Sequence, residues 1–205
     1  MRCFDISQEV FSSAVYPGDP APRREVLRSM DKGDCYHLTA FSMCAHNGTH
    51  VDAPAHFLKG GASVEKLPLS SLVGPSVVVS FEGEMSAEDA KGILVRAGQV
   101  SGEGAVRLLL KGQTTVGRDA AEVLLEGGVL LLGTERQSVS KEEDTAAVHR
   151  LLLEGGTLLL EGLRLEDVSD GGYFLFAAPL LLGGAEGAPC RAVLVDFSNE
   201  NSDNL

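Results

Sequence analysis

The sequence predicts an α/β fold built on a mixed β-sheet, and two features of the chain carry this prediction. Apolar, often β-branched runs at 72–81 and 106–112 are typical of buried strands. The stretch LLEGGVLLLG at 124–133 returns as LLEGGTLLLEG at 152–162. Each copy has the pattern of a helix end, a Gly-Gly cap and a strand, so helices and strands are expected to alternate.

The first half of the chain supplies strands, an ordered loop and one helix. Residues 3–6 are predicted to form the first strand, and YPGDPAPR at 16–23 to form a loop, because its prolines and glycine oppose a helix. The strand at 72–81 precedes SAEDAKGILVRAG at 86–98, which opens with a serine cap and acidic residues and ends near a glycine. A helix is therefore expected there, followed by the buried strand at 106–112.

The second half of the chain supplies two helix and strand pairs. Helical patterns at 115–126 and 142–154 lead into the two Gly-Gly pairs, and at least three apolar residues follow each pair. Strands that are almost continuously apolar indicate a sheet covered on both faces. The Gly-Gly turns and the segment FEGE at 81–84 leave room for antiparallel pairs, so we expect a mixed sheet.

Length and charge limit the classes of protein that the chain can represent. Its 205 residues suit one domain, predicted here to span 1–205. A formal net charge of −12 and the absence of a Lys/Arg cluster argue against nucleic acid as a partner. No stretch resembles a signal peptide or a membrane span, and the four cysteines form no CxxC pair. We therefore expect a soluble cytoplasmic protein with reduced thiols.

Three of the five histidines lie within CAHNGTHVDAPAHF at 44–57. A helix would place His46 and His50 on one face, but Gly48, Val51 and Pro54 oppose a helix there. A fully extended segment would separate the two histidines by roughly 13 Å, too far to share an ion. Asn-Gly is a favoured turn pair, so we expect the chain to fold back between the two imidazoles.

The residues after this turn complete a set of metal ligands. His50 and Asp52 are two positions apart on one side of an extended stretch, so an imidazole and a carboxylate can meet at a common ion. Two neutral imidazoles and a carboxylate suit Zn²⁺ or Mn²⁺ and leave coordination positions open for water. His56 follows Pro54, and a general base beside the metal is the role expected for it.

Two further ligand candidates lie in the second half of the chain. His149 is on the core-facing side of the helical pattern at 142–154, where an ordinary core histidine is the alternative. Glu161 ends a buried strand, and a buried carboxylate is costly unless it is paired or bound to a cation. A pair with Arg164 or an exposed strand end would also explain it. The Gly-Gly turn between helix and strand would allow His149 and Glu161 to meet.

The stretch HNGTHVDAPAH fits HxGTHxDxPxH, and the chain thereby resembles the cyclase family of metal-dependent hydrolases, which includes bacterial kynurenine formamidases and isatin hydrolase. The likeness covers most of the chain. It implies a swivelling β/β/α domain, assembled as a homodimer or homotetramer. It also implies two divalent ions per subunit, zinc or manganese, with the roles that follow. His46 and His50 would hold the first ion, His149 the second, Asp52 and Glu161 would bridge them, and His56 would transfer protons.

This sequence departs from the resembled formamidases at two places that bear on the substrate. Tyr16 stands in VYPGD where those enzymes typically carry a tryptophan that would stack on an aryl substrate, so Tyr16 is a candidate substrate-binding residue. The segment GTERQSVS at 133–140 lacks the familiar aspartate. Both departures weaken the expectation that N-formylkynurenine is the substrate.

The function expected from these residues is hydrolysis of a small amide, formamide or lactam by a metal-activated hydroxide. Three alternatives stay open. The chain could be an arylformamidase proper, or a protein that uses its metal to bind a small molecule without turnover. It could also hold a structural metal within an oligomer, although an open coordination position opposes that last reading.

Overall fold

A computed structural model describes residues 1–101 and 107–197 as an α/β fold with a curled mixed sheet. The strands are β1 (Arg2–Asp5), β2 (Arg23–Arg28), β3 (Leu38–Ser42), β4 (His50–Asp52), β5 (Val73–Ser80), β6 (Gly83–Met85), β7 (Arg107–Lys111), β8 (Thr114–Val116), β9 (Leu131–Thr134), β10 (Leu158–Glu161), β11 (Gly171–Phe176), β12 (Gly187–Pro189) and β13 (Val193–Asp196). The helices are α1 (Leu69–Leu72), α2 (Ala87–Ser101), α3 (Arg118–Glu126) and α4 (Thr145–Glu154).

The main sheet combines a parallel centre with antiparallel flanks. Its strands follow the order β1-β13-β11-β5-β7-β9-β10-β4-β12 among the described residues. The pairs β5–β7, β7–β9 and β9–β10 are parallel, because a helix or loop crosses over between them. On one side of this centre β11 pairs antiparallel with β5, and on the other side β4 pairs antiparallel with β10. The predicted α/β class and mixed sheet are thus confirmed.

Both faces of the sheet are covered by apolar side chains. Val77 and Val79 of β5 pack with α2, α3 and α4, through residues such as Leu124, whereas Val78 belongs to the opposite core. This opposite core also contains Ile6, which directly follows β1. Burial on two faces explains why the central strands are apolar without alternation. None of the described helices is both long and apolar enough to cross a membrane.

The sheet curls until its two ends approach each other. The Arg164 backbone N–H, beyond β10, donates to the Ile6 carbonyl, beyond β1, at 3.0 Å. Next to this contact the Gln8 N–H donates to the Thr49 hydroxyl at 2.9 Å, and that hydroxyl donates to the Gly162 carbonyl at 2.6 Å. These bonds tie the segment before β4 to the carboxyl end of β10. The histidine loop and Glu161 are therefore neighbours.

Most element predictions are confirmed, with differences at the ends of elements. β1, β5 and β7 match the strands expected at 3–6, 72–81 and 106–112, although Val106 lies outside the described residues. α2 continues past Gly98 to Ser101, so the expected end is wrong. A glycine inside a helix costs only about 1 kcal/mol, and the helix is anchored to the core by Ala90, Ile93 and Ala97 before it.

The third helix begins later than its sequence pattern suggested. Thr115 and Val116 belong to β8, which pairs in parallel with β6, and α3 starts only at Arg118. All three residues of β8 are buried, so pairing and packing outweigh the helical pattern of the flanking residues. Gly117 is the cap that separates strand from helix.

The two repeat copies form the expected helix and strand pairs, but one residue out of step. β9 and β10 pair Leu131 with Leu158 and Gly133 with Leu160. Glu161 is the repeat equivalent of Gly133, so equivalent residues are displaced by one position in the sheet. Paired residues in neighbouring strands point to the same face, and equivalent residues of the two copies therefore point to opposite faces.

Candidate metal centre

The turn expected between the first two histidines is present. Gly48 has φ +69°, a left-handed conformation that favours glycine, whereas Asn47 keeps a negative φ. The Cys44 backbone N–H donates to the Asn47 side-chain oxygen at 2.8 Å and closes the turn. The chain folds back, and the ring centres of His46 and His50 lie 5.0 Å apart.

Strand β4 aims His50 and Asp52 at the same point. The two side chains share one face of the strand, while Val51 between them is buried in the opposite core. His50 Nε2 lies 3.4 Å from Asp52 Oδ1, and His46 Nδ1 lies 2.9 Å from the same oxygen. The three residues form one group of candidate ligands.

The two candidates from the second half of the chain reach this same point. His149 on α4 places Nε2 3.4 Å from Glu161 Oε1, at the end of β10, and 3.6 Å from Asp52 Oδ2. Glu161 Oε2 faces His50 Nε2 at 3.5 Å. Glu161 therefore faces two imidazoles rather than Arg164. Asp52, His149 and Glu161 form a second group of candidate ligands, whose ligand atoms lie within 4.8 Å of one another.

The two carboxylates each present one oxygen to either side of the cluster. Asp52 Oδ1 faces His46 and His50, and its Oδ2 faces His149. Glu161 has the matching arrangement, with Oε2 toward His50 and Oε1 toward His149. Asp52 is shared by the two candidate ligand groups. This arrangement is suited to two neighbouring cations that share carboxylates.

Two imidazoles are held in the tautomer that metal coordination requires. His50 Nδ1 lies 3.0 Å from the Gly48 carbonyl, and His149 Nδ1 lies 2.7 Å from the Thr145 carbonyl. A carbonyl oxygen can only accept, so Nδ1 carries the hydrogen in both rings. The Nε2 lone pairs are thus directed at the carboxylates, where a cation can replace a proton.

The buried polar atoms of the cluster fit a divalent ion. Asp52 is fully buried and Glu161 is 2% exposed. Asp52 Oδ2 and His46 Nε2 are buried atoms without a hydrogen-bond partner among the described residues. Buried carboxylates are costly without compensation, and imidazole and carboxylate ligands suit Zn²⁺ and Mn²⁺. The donor set and its unpartnered atoms therefore match a divalent metal.

The carboxylates favour the protonated form of His50 and His149 when no metal is bound. Burial lowers the pKa of His50, but the hydrogen bond that its ring donates to Glu161 and the charges of Asp52 and Glu161 outweigh it and raise the pKa to about 9. The pKa of His149 is raised by the same carboxylates against the effect of burial. Burial opposes ionisation of Asp52, yet the hydrogen bond with His46 and the charge of His50 lower its pKa.

These shifts predict that metal binding stabilises the protein more as the pH rises. The raised pKa of His50 stabilises the metal-free fold below about pH 6.5, and this contribution is lost as the pH approaches 9. A cation must displace that proton, at a cost of about 1.4 kcal/mol per proton and pH unit in this range. The rise in Tm on adding Mn²⁺ to chelator-stripped protein should therefore increase from pH 6 to pH 8.5. A rise independent of pH would contradict this coupling.

His56 lies beside the cluster and outside both ligand groups. It ends a 3₁₀ turn, Pro54–His56, and its ring stacks on His46 with centres 4.1 Å apart. Its ring centre is 6.2 Å from that of His149. Burial is the main cause that lowers the pKa of His56, so the imidazole is neutral near pH 7 and can accept a proton. Its placement agrees with the expected role, which stays a prediction.

A cavity of about 430 Å³ opens above the cluster. His46, His50, His149 and Glu161 contribute to its floor, and His56 lies at its wall. Tyr16, from the VYPGD loop, lines the same cavity, as do Phe57, Gln137 and Ser138. The segment at 133–140, which differs from the resembled formamidases, thus reaches the site.

Two acidic residues at the cavity, Asp19 and Glu186, carried no functional expectation from the sequence. Glu186 Oε1 lies 3.4 Å from His46 Nε2. Its sequence signal is weak, a single acid among small residues in GGAEGAP, and Asp19 belongs to the same loop as Tyr16. The Val139 backbone N–H, which donates to Glu161 Oε1 at 2.7 Å, has no side-chain signature at all.

The sequence of the chain is similar to those of known proteins over nearly its whole length. The Cyclase family model matches residues 4–141. A kynurenine formamidase of Salinibacter ruber is 35% identical over 210 residues, which cover 96% of this chain and 98% of that protein. A kynurenine formamidase of Bacillus anthracis is 32% identical and covers 94% of this chain and 97% of its own length.

Solved structures with the same fold were also found. A protein from Bacillus stearothermophilus described as a metal-dependent hydrolase has a TM-score of 0.79 and 27% identity, covering 94% of this chain and 97% of the other. Isatin hydrolase A of Labrenzia aggregata has a TM-score of 0.81 and 23% identity, covering 95% of this chain and 93% of the other. At that identity the second likeness supports the fold alone.

Proposed function

Because the chain belongs to the Cyclase family, we propose that it is a metal-dependent hydrolase that cleaves a C–N bond in a small amide, formamide or lactam. The observation that carries this proposal is the pair of ligand groups that share Asp52 at the floor of a cavity. A cavity of about 430 Å³ suits a small-molecule substrate rather than a protein chain.

The proposed cofactor is a pair of zinc or manganese ions in each subunit. His46 and His50 would hold the first ion and His149 the second, with Asp52 and Glu161 shared between them. The two-sided orientation of both carboxylates supports this arrangement. Imidazole and carboxylate ligands accept Zn²⁺ and Mn²⁺ alike, so the choice between them rests on metal analysis of the purified protein.

The mechanism divides the chemistry between the metal and the surrounding residues. When bound, a divalent metal lowers the pKa of water and polarises the substrate carbonyl. His56, which is neutral near pH 7, accepts a proton on a ring nitrogen and passes it to the leaving nitrogen as the C–N bond breaks. Tyr16 and Phe57 provide aromatic surface against which the substrate is held.

An arylformamidase that acts on N-formylkynurenine is the second candidate, because the relatives named above are kynurenine formamidases. Tyr16, in place of the tryptophan of the resembled enzymes, and the altered segment at 133–140 weigh against that substrate. A binding protein without turnover is the third. Product analysis with N-formylkynurenine and with simpler formamides, lactams and imides separates the three.

Chelation tests the proposed function directly. Removal of divalent metal should reduce hydrolysis of a formamide, lactam and imide panel by more than about 100-fold, since metal catalysis contributes several kcal/mol. Adding Zn²⁺ or Mn²⁺ back should restore the rate, which liquid chromatography of the products can measure. A panel that gives no metal-dependent product, although the protein binds metal, would favour the binding protein instead.

We also propose that the protein acts in the cytoplasm as a homodimer or homotetramer. The β2–β3 hairpin pairs with no other strand among the described residues, and nearly all its side chains are exposed. An isolated two-stranded hairpin is at best marginally stable in water, so a second copy of the chain is the proposed cover. Exposed, unpaired Cys3 and Cys35 suit a reducing compartment.

The assembly should depend on the apolar side chains of this hairpin. Phe41 is 60% exposed and lines a groove together with Phe11 and Leu180. Phe41→Asp should shift the protein from oligomer toward monomer, because a charge buried at an interface is costly. Light scattering after size-exclusion chromatography measures the molar mass. Val95→Asp, at an exposed apolar residue of α2, introduces the same single negative charge and is the control. An unchanged mass for Phe41→Asp would show that the hairpin does not mediate assembly.

A further inference from the structure

The mouth of the catalytic cavity carries two carboxylates that the proposed chemistry does not use. Asp19 and Glu186 line the cavity with Cys44, which lies near both. The pKa of the Cys44 thiol is raised by burial first, and then by the negative charges of Asp19 and Glu186. The thiol is therefore protonated near neutral pH, which disfavours a nucleophilic role for Cys44. The field at the mouth is negative.

The main chain of both acids is held in place by backbone hydrogen bonds. Asp19 closes a turn with Tyr16, since its backbone N–H donates to the Tyr16 carbonyl at 3.0 Å. Pro17 and Gly18, with φ +96°, occupy the central positions of this turn as a type II turn prefers. The Glu186 carbonyl accepts from the Ala53 N–H, next to β4, at 2.8 Å. The acids therefore have a defined position relative to the ligand cluster.

No lysine or arginine is among the described residues that line this cavity. The Asp19 carboxylate has no salt bridge to a described lysine or arginine, and the Glu186 carboxylate makes its ion-pair contact, among the described residues, with the His46 ring. At the mouth, away from the metal ligands, a carboxylate on the substrate would thus meet two acids and no lysine or arginine, whereas an ammonium group would find partners. The aromatic rings of Tyr16 and Phe57 supply the apolar part of the wall.

The opposite wall supplies an independent sign of a ligand. Ser138 lines the cavity and is only 9% exposed, yet its hydroxyl has no hydrogen-bond partner among the described residues. The side-chain amide of Gln137, on the same wall, is also buried without a partner. Buried polar groups are normally hydrogen-bonded, so these groups are available to the polar end of a substrate.

We infer that the cavity selects an aryl amide that carries an ammonium group and no carboxylate. The ring lies against Tyr16 and Phe57, the ammonium group pairs with Asp19 and Glu186, and the amide reaches the metal ligands and Ser138. This inference rests on the proposed function and specifies its substrate class. It disfavours substrates with an α-carboxylate at the mouth, because two acids and no lysine or arginine line it among the described residues.

Three formanilides that differ only in the para substituent test the inference: 4-(aminomethyl)formanilide, 4-methylformanilide and 4-formamidobenzoate. Each hydrolysis adds one water and releases formate and the aniline. The ammonium compound should have the highest kcat/KM and the carboxylate compound the lowest. Each mouth acid should contribute up to about fivefold to the ratio of ammonium to methyl compound, as expected for a partly exposed ion pair. Added salt should reduce that ratio.

Substitutions then assign the preference to the two acids. Asp19→Asn and Glu186→Gln should each lower the ratio of ammonium to methyl compound by up to about fivefold. Asp31→Asn, an exposed acid outside the cavity, removes the same charge and should leave the ratio unchanged. Metal content is measured for every variant, since Glu186 contacts His46. An equal ratio in wild type and Asp19→Asn overturns the inference.

The test separates failure of the inference from failure of the proposed function. Metal-dependent hydrolysis of all three compounds without preference for the ammonium compound overturns the inference and leaves the function intact. If none is hydrolysed, binding replaces turnover as the test. The measurement is then the shift in Tm that each of the three compounds causes in metal-loaded protein. A larger shift for the ammonium compound that disappears in Asp19→Asn supports the inference, and equal or absent shifts overturn it.

Discussion

Replacing Asp52 with alanine should abolish both metal binding and hydrolysis. Asp52 is the residue shared by the two candidate ligand groups, so its loss removes an oxygen from each. Substitution of residues that merely orient metal ligands already costs 10–100-fold in metal affinity, so a loss greater than about 100-fold is expected here. Metal analysis of the purified variant and hydrolysis rates on the formamide, lactam and imide panel measure the two effects.

The same substitution should also destabilise the metal-free protein. It removes the carboxylate that His46, His50 and His149 all face and leaves Glu161 alone beside His50 and His149. An uncompensated buried charge typically costs 3–5 kcal/mol. Asp52→Asn keeps the shape of the side chain and separates loss of fold from loss of ligand. Asp170→Asn, at a surface pair with Arg96, is the control that should keep metal and activity. An Asp52→Asn variant that folds, binds metal normally and hydrolyses substrate would refute the assignment.

The histidine loop could be predicted from the sequence because its constraints are local. The left-handed conformation at Gly48 and the two-residue spacing of His50 and Asp52 both act within a few residues. Glu161 was identified by a different physical argument, the cost of a buried carboxylate at a strand end. Its proximity to His149 depended only on a short helix, a turn and a strand, which restrict where the chain can go.

Other features of the site depend on contacts between distant segments. Asp19 and Glu186 meet at the cavity from opposite ends of the chain, and neither lies in a periodic pattern. The register of the repeat was equally hidden, because strands that are apolar on both faces show no alternation that reveals which residues face which core. The β2–β3 hairpin also gave no signal, since neither strand has a buried face in the chain itself.

His56 should be separable from the metal ligands by substitution. His56→Ala is expected to retain metal and to lose about 10²–10⁴-fold in kcat/KM, the usual contribution of a general acid or base. The ring stacks on His46 but belongs to neither ligand group, so its removal leaves the donor set intact. His37→Ala, the exposed histidine outside the cluster, is the matched control and should change neither quantity.

The pH dependence tells a proton carrier from a residue that only supports His46. Burial lowers the pKa of His56, so its protonation, and with it the loss of the base, should reduce kcat/KM only below about pH 6.5. His56→Gln also removes the stacking of the ring on His46. If His56 only supports His46, this variant should bind metal more weakly and keep the acidic limb of the pH profile of kcat/KM. A role in proton transfer instead removes that limb at full metal occupancy. Because the leaving nitrogen must gain a proton, the largest loss should occur with the most basic leaving amines.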